Sequence, residues 1–130
     1  METESDVYRG DPGTRRSVQA DVLYLAFHGN DPMCPPSRHV LRDIDVVSFG
    51  RGEHGVERDR KDAVRRLVIR VDDPLMSKDH GQLVHGRGAW VLDDPSSKNG
   101  AIVGGQRTRS SCVELGQIFS LGHTLFFLAR

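Results

Sequence analysis

Three short segments carry the residue types that can hold an anion or a peptide backbone. They are Gly50-Arg51, Ser77-Lys78-Asp79-His80 and Ser97-Lys98-Asn99-Gly100, the last set in the longer stretch Asp94 to Gly100. An arginine fork matches phosphate oxygens bidentately and stays charged at any relevant pH. A serine hydroxyl with neighbouring backbone N–H groups can donate to the same oxygens, and Lys78 adds positive charge. Asn99 offers both an amide N–H and a C=O to an extended peptide main chain. Taken singly, each segment also reads as an ordinary turn. An Asn-Gly pair between strands is commonly a hairpin turn, and a turn serine commonly bonds its own backbone.

The segments lie far apart in sequence, each at the junction of a strand and a loop, so only a fold that gathers three loops at one edge makes a site of them. The elements are short β-like runs separated by turn residues. Val22–Phe27 is an apolar run closed by Gly29-Asn30-Asp31-Pro32. Arg38–Leu41 and Asp45–Phe49 follow, the latter ending at Gly50. Leu67–Val71 ends at Asp72-Asp73-Pro74, where proline stops a central strand. Gln82–His85 and Ala89–Leu92 flank Gly86-Arg87-Gly88, the strongest hairpin signal in the chain. Val113–Leu115, Gln117–Leu121 and Thr124–Leu128 complete the series, which points to an all-β sandwich or barrel. No window reads as a helix. The charged stretch from Val56 to Leu67 reads as a solvated loop.

Bulk properties narrow the function classes. A chain of 130 residues has room for one core. Eighteen basic and eighteen acidic residues balance, so the chain lacks the general field of a nucleic-acid binder. No apolar run reaches the ~20 residues of a membrane span. The acidic start Met1-Glu2-Thr3-Glu4 is unlike a signal peptide, so a cytoplasmic location and reduced Cys34 and Cys112 are expected. The six histidines show no metal spacing, and no serine sits in a nucleophile elbow, so neither a metal, a cofactor nor an enzymatic activity is expected. Residues 1 to 20 read as a flexible lead-in and residues 21 to 130 as the domain.

In this order and spacing the three segments resemble the forkhead-associated (FHA) domain, a phosphothreonine-peptide-binding module. The resemblance extends to the closing run Leu115 to Gly122 and covers residues 20 to 130. It implies a β-sandwich of about eleven strands with the binding loops at one end. It further implies that Arg51, Ser77 and Lys78 bind phosphate and that Ser97, Lys98 and Asn99 hold the peptide backbone. Gly50, His80 and Gly100 would then support the site. The partner would be a phosphothreonine segment, in trans or from the same protein. Three positions depart from the family pattern. Ala101 stands where threonine is usual, Gly104 replaces a second asparagine, and Asp79 sets a carboxylate beside Ser77 and Lys78. Strand alternation points Asp79 away from the pocket.

The sequence also looks like the amino-terminal domain of bacterial sigma-54-dependent transcriptional activators. Any DNA contact would then come from a downstream domain and not from this one. The competing expectation is a scaffold or oligomerisation domain of the same fold that does not use phosphate.

Overall fold

The computed structural model describes residues 20 to 130. Most of the expected lead-in therefore lies outside the described residues. Twelve strands and no helix are present among the described residues: β1 (Val22–Phe27), β2 (Ser37–Val40), β3 (Val46–Arg51), β4 (Gly55–Lys61), β5 (Val64–Val71), β6 (Gly81–Gly86), β7 (Ala89–Asp93), β8 (Ala101–Val103), β9 (Gln106–Thr108), β10 (Ser110–Val113), β11 (Ile118–Leu121) and β12 (Thr124–Ala129). They form two six-stranded sheets, ordered β2-β1-β12-β11-β8-β9 and β10-β7-β6-β3-β5-β4. The fold is the all-β sandwich that the alternating runs point to.

Period-two patterning builds the core. Val47 and Phe49 on β3, Leu67, Ile69 and Val71 on β5, and Trp90 and Leu92 on β7 face inward from one sheet. Leu23 and Leu25 on β1, Phe119 and Leu121 on β11, and Phe126 and Leu128 on β12 meet them from the other. Phe126 lies at the centre, its ring 4.9 Å from Phe49 and 5.3 Å from Phe119. Cys34 and Cys112 are free thiols.

The stretch expected to be a charged loop is a hairpin instead. β4 pairs antiparallel with β5 from Gly55↔Arg70 to Lys61↔Val64, and the turn residues Asp62 and Ala63 both have positive φ, 53° and 66°. Positive φ at both central residues is the two-residue turn whose twist suits a hairpin. Charge hides the strand from a hydrophobicity reading, because β4 is an edge strand with little to bury. Arg66 grips Asp59 through two nitrogens, at 3.0 and 2.8 Å. Such charges also keep an open edge from pairing with another chain.

β3 and β5 run parallel, joined by the excursion through β4, whereas the other strand pairs are antiparallel. β3 also continues through Gly50 to Arg51 instead of stopping at the glycine. That places Arg51 at the last rung of the sheet, opposite Val71, where the chain leaves for the loop bearing Ser77.

Candidate functional site

The three loops do meet at one end of the sandwich. Arg51 donates its backbone N–H to the Ser77 carbonyl at 2.9 Å, and the His80 N–H returns to the Phe49 carbonyl at 2.9 Å. The loop after β5 is thereby sewn to the end of β3. The approach is so close that a Cβ at residue 50 would sit 2.1 Å from the Lys78 carbonyl oxygen, so only glycine fits there.

His80 is fully buried and links this loop to the next. Its Nδ1 accepts the Ser77 backbone N–H at 2.8 Å, which leaves Nε2 to carry the proton and donate to the Gly100 carbonyl at 2.7 Å. Gly100 itself has φ +72°, the left-handed conformation that lets the loop turn back into β8. A second link is made by Ser77, whose Oγ accepts the Lys98 backbone N–H at 2.9 Å. A third is made by Asn99, whose Nδ2 donates to the Leu75 carbonyl at 2.9 Å.

Side chains of Arg51, Lys78 and Lys98 are exposed, and none forms an ion pair with the described residues. The Ser77 hydroxyl keeps its proton to donate, and the Asn99 Oδ1 has no partner among the described residues. This end of the molecule thus offers an open cationic group, a hydroxyl donor and an amide acceptor on loops tied together by hydrogen bonds, with the buried His80–Gly100 bond beneath them.

Ser97 differs from its expected role. It is buried, its Oγ donates to Asp94 and accepts the Gly100 N–H at 2.9 Å, and its own N–H goes to Asp94 at 2.9 Å. Its carbonyl accepts from Arg109 at 2.6 Å, so its hydroxyl, N–H and carbonyl are all engaged within the protein. The residue shapes the loop from beneath. Lys98 likewise contributes its backbone N–H to Ser77 and only its side chain outward. Asp79 lines a groove on the outer face of the second sheet with Arg70, Gln82 and Asp93. Ala101 is buried, and Gly104-Gly105 forms the turn between β8 and β9 with both φ positive.

Four supporting residues escape a sequence reading. Buried Asp94 anchors Ser97, with His80 Nε2 and Arg109 each 3.7 Å from its carboxylate. An aspartate three residues before a serine is the spacing of a side chain capping a tight turn, and is the available signal. Arg109 and Arg107 reach back to the carbonyls of Ser97 and Asn99, and no local pattern marks them. Buried Asp73, read only as a strand terminator, accepts from the Leu75 N–H at 2.9 Å, the His123 N–H at 2.8 Å and the Thr124 hydroxyl at 2.7 Å. It ties the Ser77 loop to the β11–β12 turn.

The model of the FHA domain family matches residues 47–122, which spans the whole of this loop assembly. The chain belongs to the FHA domain family. Solved FHA structures share its fold. The FHA domain of the CT664 protein from Chlamydia trachomatis is 23% identical, with a TM-score of 0.60 over 85% of this chain and 98% of that one. An FHA domain solved for its phosphothreonine-dependent interactions is 17% identical, with a TM-score of 0.56 over 86% and 97%. Mycobacterium tuberculosis EmbR, in complex with a low-affinity phosphopeptide, is 18% identical with a TM-score of 0.54, matching 85% of this chain and 24% of EmbR. No curated protein matches the chain. Among the described residues, no helix is long and apolar enough to cross a membrane.

Proposed function

We propose that this FHA domain is a non-enzymatic signalling module that docks a phosphothreonine segment, in trans or from its own protein. Arg51 and Ser77 take the phosphate, Lys78 adds charge beside it, and Asn99 holds the peptide backbone, with the Lys98 side chain at the rim. The observation that carries the reading is the joining of three loops around an exposed Arg51, which has no ion pair among the described residues, by bonds at Ser77, His80 and Asn99. A phosphate carries about −1.5 to −2 at neutral pH, so a guanidinium fork with hydroxyl and amide donors makes several charge-assisted bonds. Two FHA neighbours support it, one studied for phosphothreonine-dependent interactions and one holding a phosphopeptide.

Within a cell we place the domain in the cytoplasm, as the sensory part of a longer bacterial transcriptional regulator of the sigma-54-dependent kind. The sequence resemblance alone supports this context. Fluorescence titration with degenerate phosphothreonine, phosphoserine and unphosphorylated peptides tests the binding reading. Phosphothreonine peptides bind, and unphosphorylated ones do not. Equal affinity for all three leaves only a scaffold that ignores phosphate. The following few hundred residues of the parent gene test the regulator context, which requires a Walker A motif there.

A further inference from the structure

The two outer faces of the sandwich differ in the side chains they carry, the aromatic, leucine and isoleucine ones lying on the first sheet. The outer face of the second sheet is mixed: Ser48, Glu57, Arg66, Arg70, Gln82 and Asp93 are interleaved with Val46, Val68, Val84 and Val91. The outer face of the first sheet is apolar. Strand register gives one row Arg38–Tyr24–Phe127–Ile118 and a second Phe27–Leu125–Ser120–Ile102–Arg107. Val40, Val22 and Ala129 form a third, in which Val22 is buried. Phe27 joins this face because the β1 register shifts between Leu25 and Phe27, which turns it outward beside Leu125. Ile118 is 55% exposed, Phe27 39%, Ile102 38% and Leu125 37%. A solvated sheet face is normally polar, and a contiguous apolar one marks an interaction surface.

Charge and position say what fits it. The three rows contain no carboxylate and only two charges, Arg38 at the β2 edge and Arg107 at the β9 edge. A second copy would bring arginines to these edges with no carboxylate to meet them, in either twofold arrangement. An apolar segment flanked by carboxylates suits both the rows and their edges. The face also runs into the loop assembly. A groove of about 250 Å³ lined by Leu75, Asn99, Ile102, Ser120 and His123 joins them, and Arg107 bonds the Asn99 carbonyl.

We propose that this face is a second docking surface, which takes an apolar, carboxylate-flanked segment of the same protein partner that brings the phosphothreonine. The identity of that shared partner rests on the function proposed above, whereas the face does not. Two attachments on one partner raise affinity by effective concentration and make recognition depend on more than a short phosphopeptide.

The test uses the whole chain and three synthetic probes: a phosphothreonine peptide, an amphipathic Leu/Ile/Glu segment, and the two joined by a Gly/Ser linker. Calorimetry is expected to show the joined probe binding roughly tenfold or more tighter than the phosphopeptide alone. Lysine in place of glutamate removes that gain. Ile118→Asp and Leu125→Asp, each with unchanged melting, also remove it without altering the phosphopeptide affinity. The amphipathic segment alone shifts the Ile118 and Leu125 methyl resonances. No gain with the joined probe, or a gain that survives both substitutions, overturns the proposal. So does a wild-type dimer in sedimentation that Ile118→Asp dissociates, or a crosslink from a photoreactive residue at 118 into residues 1 to 19. Binding of the joined probe without any binding of the phosphopeptide leaves the face standing and removes the phosphothreonine reading. The reverse pattern removes only the face.

Discussion

Ser77 Oγ accepts the backbone N–H of Lys98 at 2.9 Å, and through that bond the Ser77 loop and the Asn99 loop hold one geometry. The hydroxyl thus serves the neighbouring loop as an acceptor, and under the proposed function its own proton goes to the ligand. Ser77→Ala removes both. Unfolding in urea should show a loss of about 0.5–1.5 kcal/mol, the net worth of one such bond. Calorimetry should show a fall in phosphopeptide affinity larger than that loss alone implies, since a donor to a dianion goes as well. An unchanged affinity contradicts the role given to the hydroxyl.

Asp73 tests how the Ser77 loop is anchored. One carboxylate oxygen accepts the Leu75 N–H and the other accepts both His123 N–H and the Thr124 hydroxyl. In Asp73→Asn one side must present an amide NH₂ to another donor, whichever way the amide is flipped. A loss of about 2–4 kcal/mol is expected in chemical denaturation, although the change is nearly isosteric. A loss within error of zero would show that these bonds do not hold the loop.

The β4–β5 turn makes a prediction of the opposite sign. Ala63 has φ 66°, where a Cβ crowds the following carbonyl oxygen at a cost of about 1–2 kcal/mol. Glycine removes that strain but adds freedom to the unfolded chain. Ala63→Gly should therefore stabilise the domain by about 0.5–1 kcal/mol, read as a higher urea midpoint with an unchanged slope.

Acid should weaken the domain before its carboxylates titrate. His39, half-buried with its Nε2 2.9 Å from the Ser37 hydroxyl, is held below 6.5 by burial, then by Arg58 and His54. Buried His28 is held below the same value by burial and by His54, against a smaller opposing pull from Asp31. Because the folded state resists the proton that the unfolded chain accepts, this stability is present above pH 6.5 and is lost as pH falls through the lower folded values. Asp45 and Asp59 are depressed from 3.8 by the Arg65 and Arg66 hydrogen bonds, so their loss comes at still lower pH. Denaturation at about pH 7.5 and about pH 5.5 should show the fall, and His39→Gln should make it shallower.

How much was legible follows from what each residue does locally. Gly50-Arg51, Ser77 to His80 and Ser97 to Gly100 were visible because strand ends and turns demand particular residue types. The turn at Arg87-Gly88 was visible for the same reason, and both residues have positive φ. The β4 strand was hidden because its stability comes from pairing and from Arg66–Asp59, not from burial. Arg109 and Asp73 were hidden because their partners are distant in sequence, twelve residues away for Ser97 and about fifty for His123 and Thr124. Neither composition nor the resemblance tells a Ser97 hydroxyl facing out from one turned onto Asp94, which is where it points. The register shift that exposes Phe27 leaves no mark in an apolar run.

The central claim, that the Arg51, Ser77 and Asn99 end of the sandwich receives a phosphothreonine segment, is tested most directly by amide chemical-shift mapping. A phosphothreonine peptide is expected to shift the amides of Arg51, Ser77, Lys78, Lys98 and Asn99, the unphosphorylated peptide to shift none of them, and Arg51→Ala to abolish the response while the spectrum stays folded. Shifts confined to other strands, or the same response to both peptides, would contradict it.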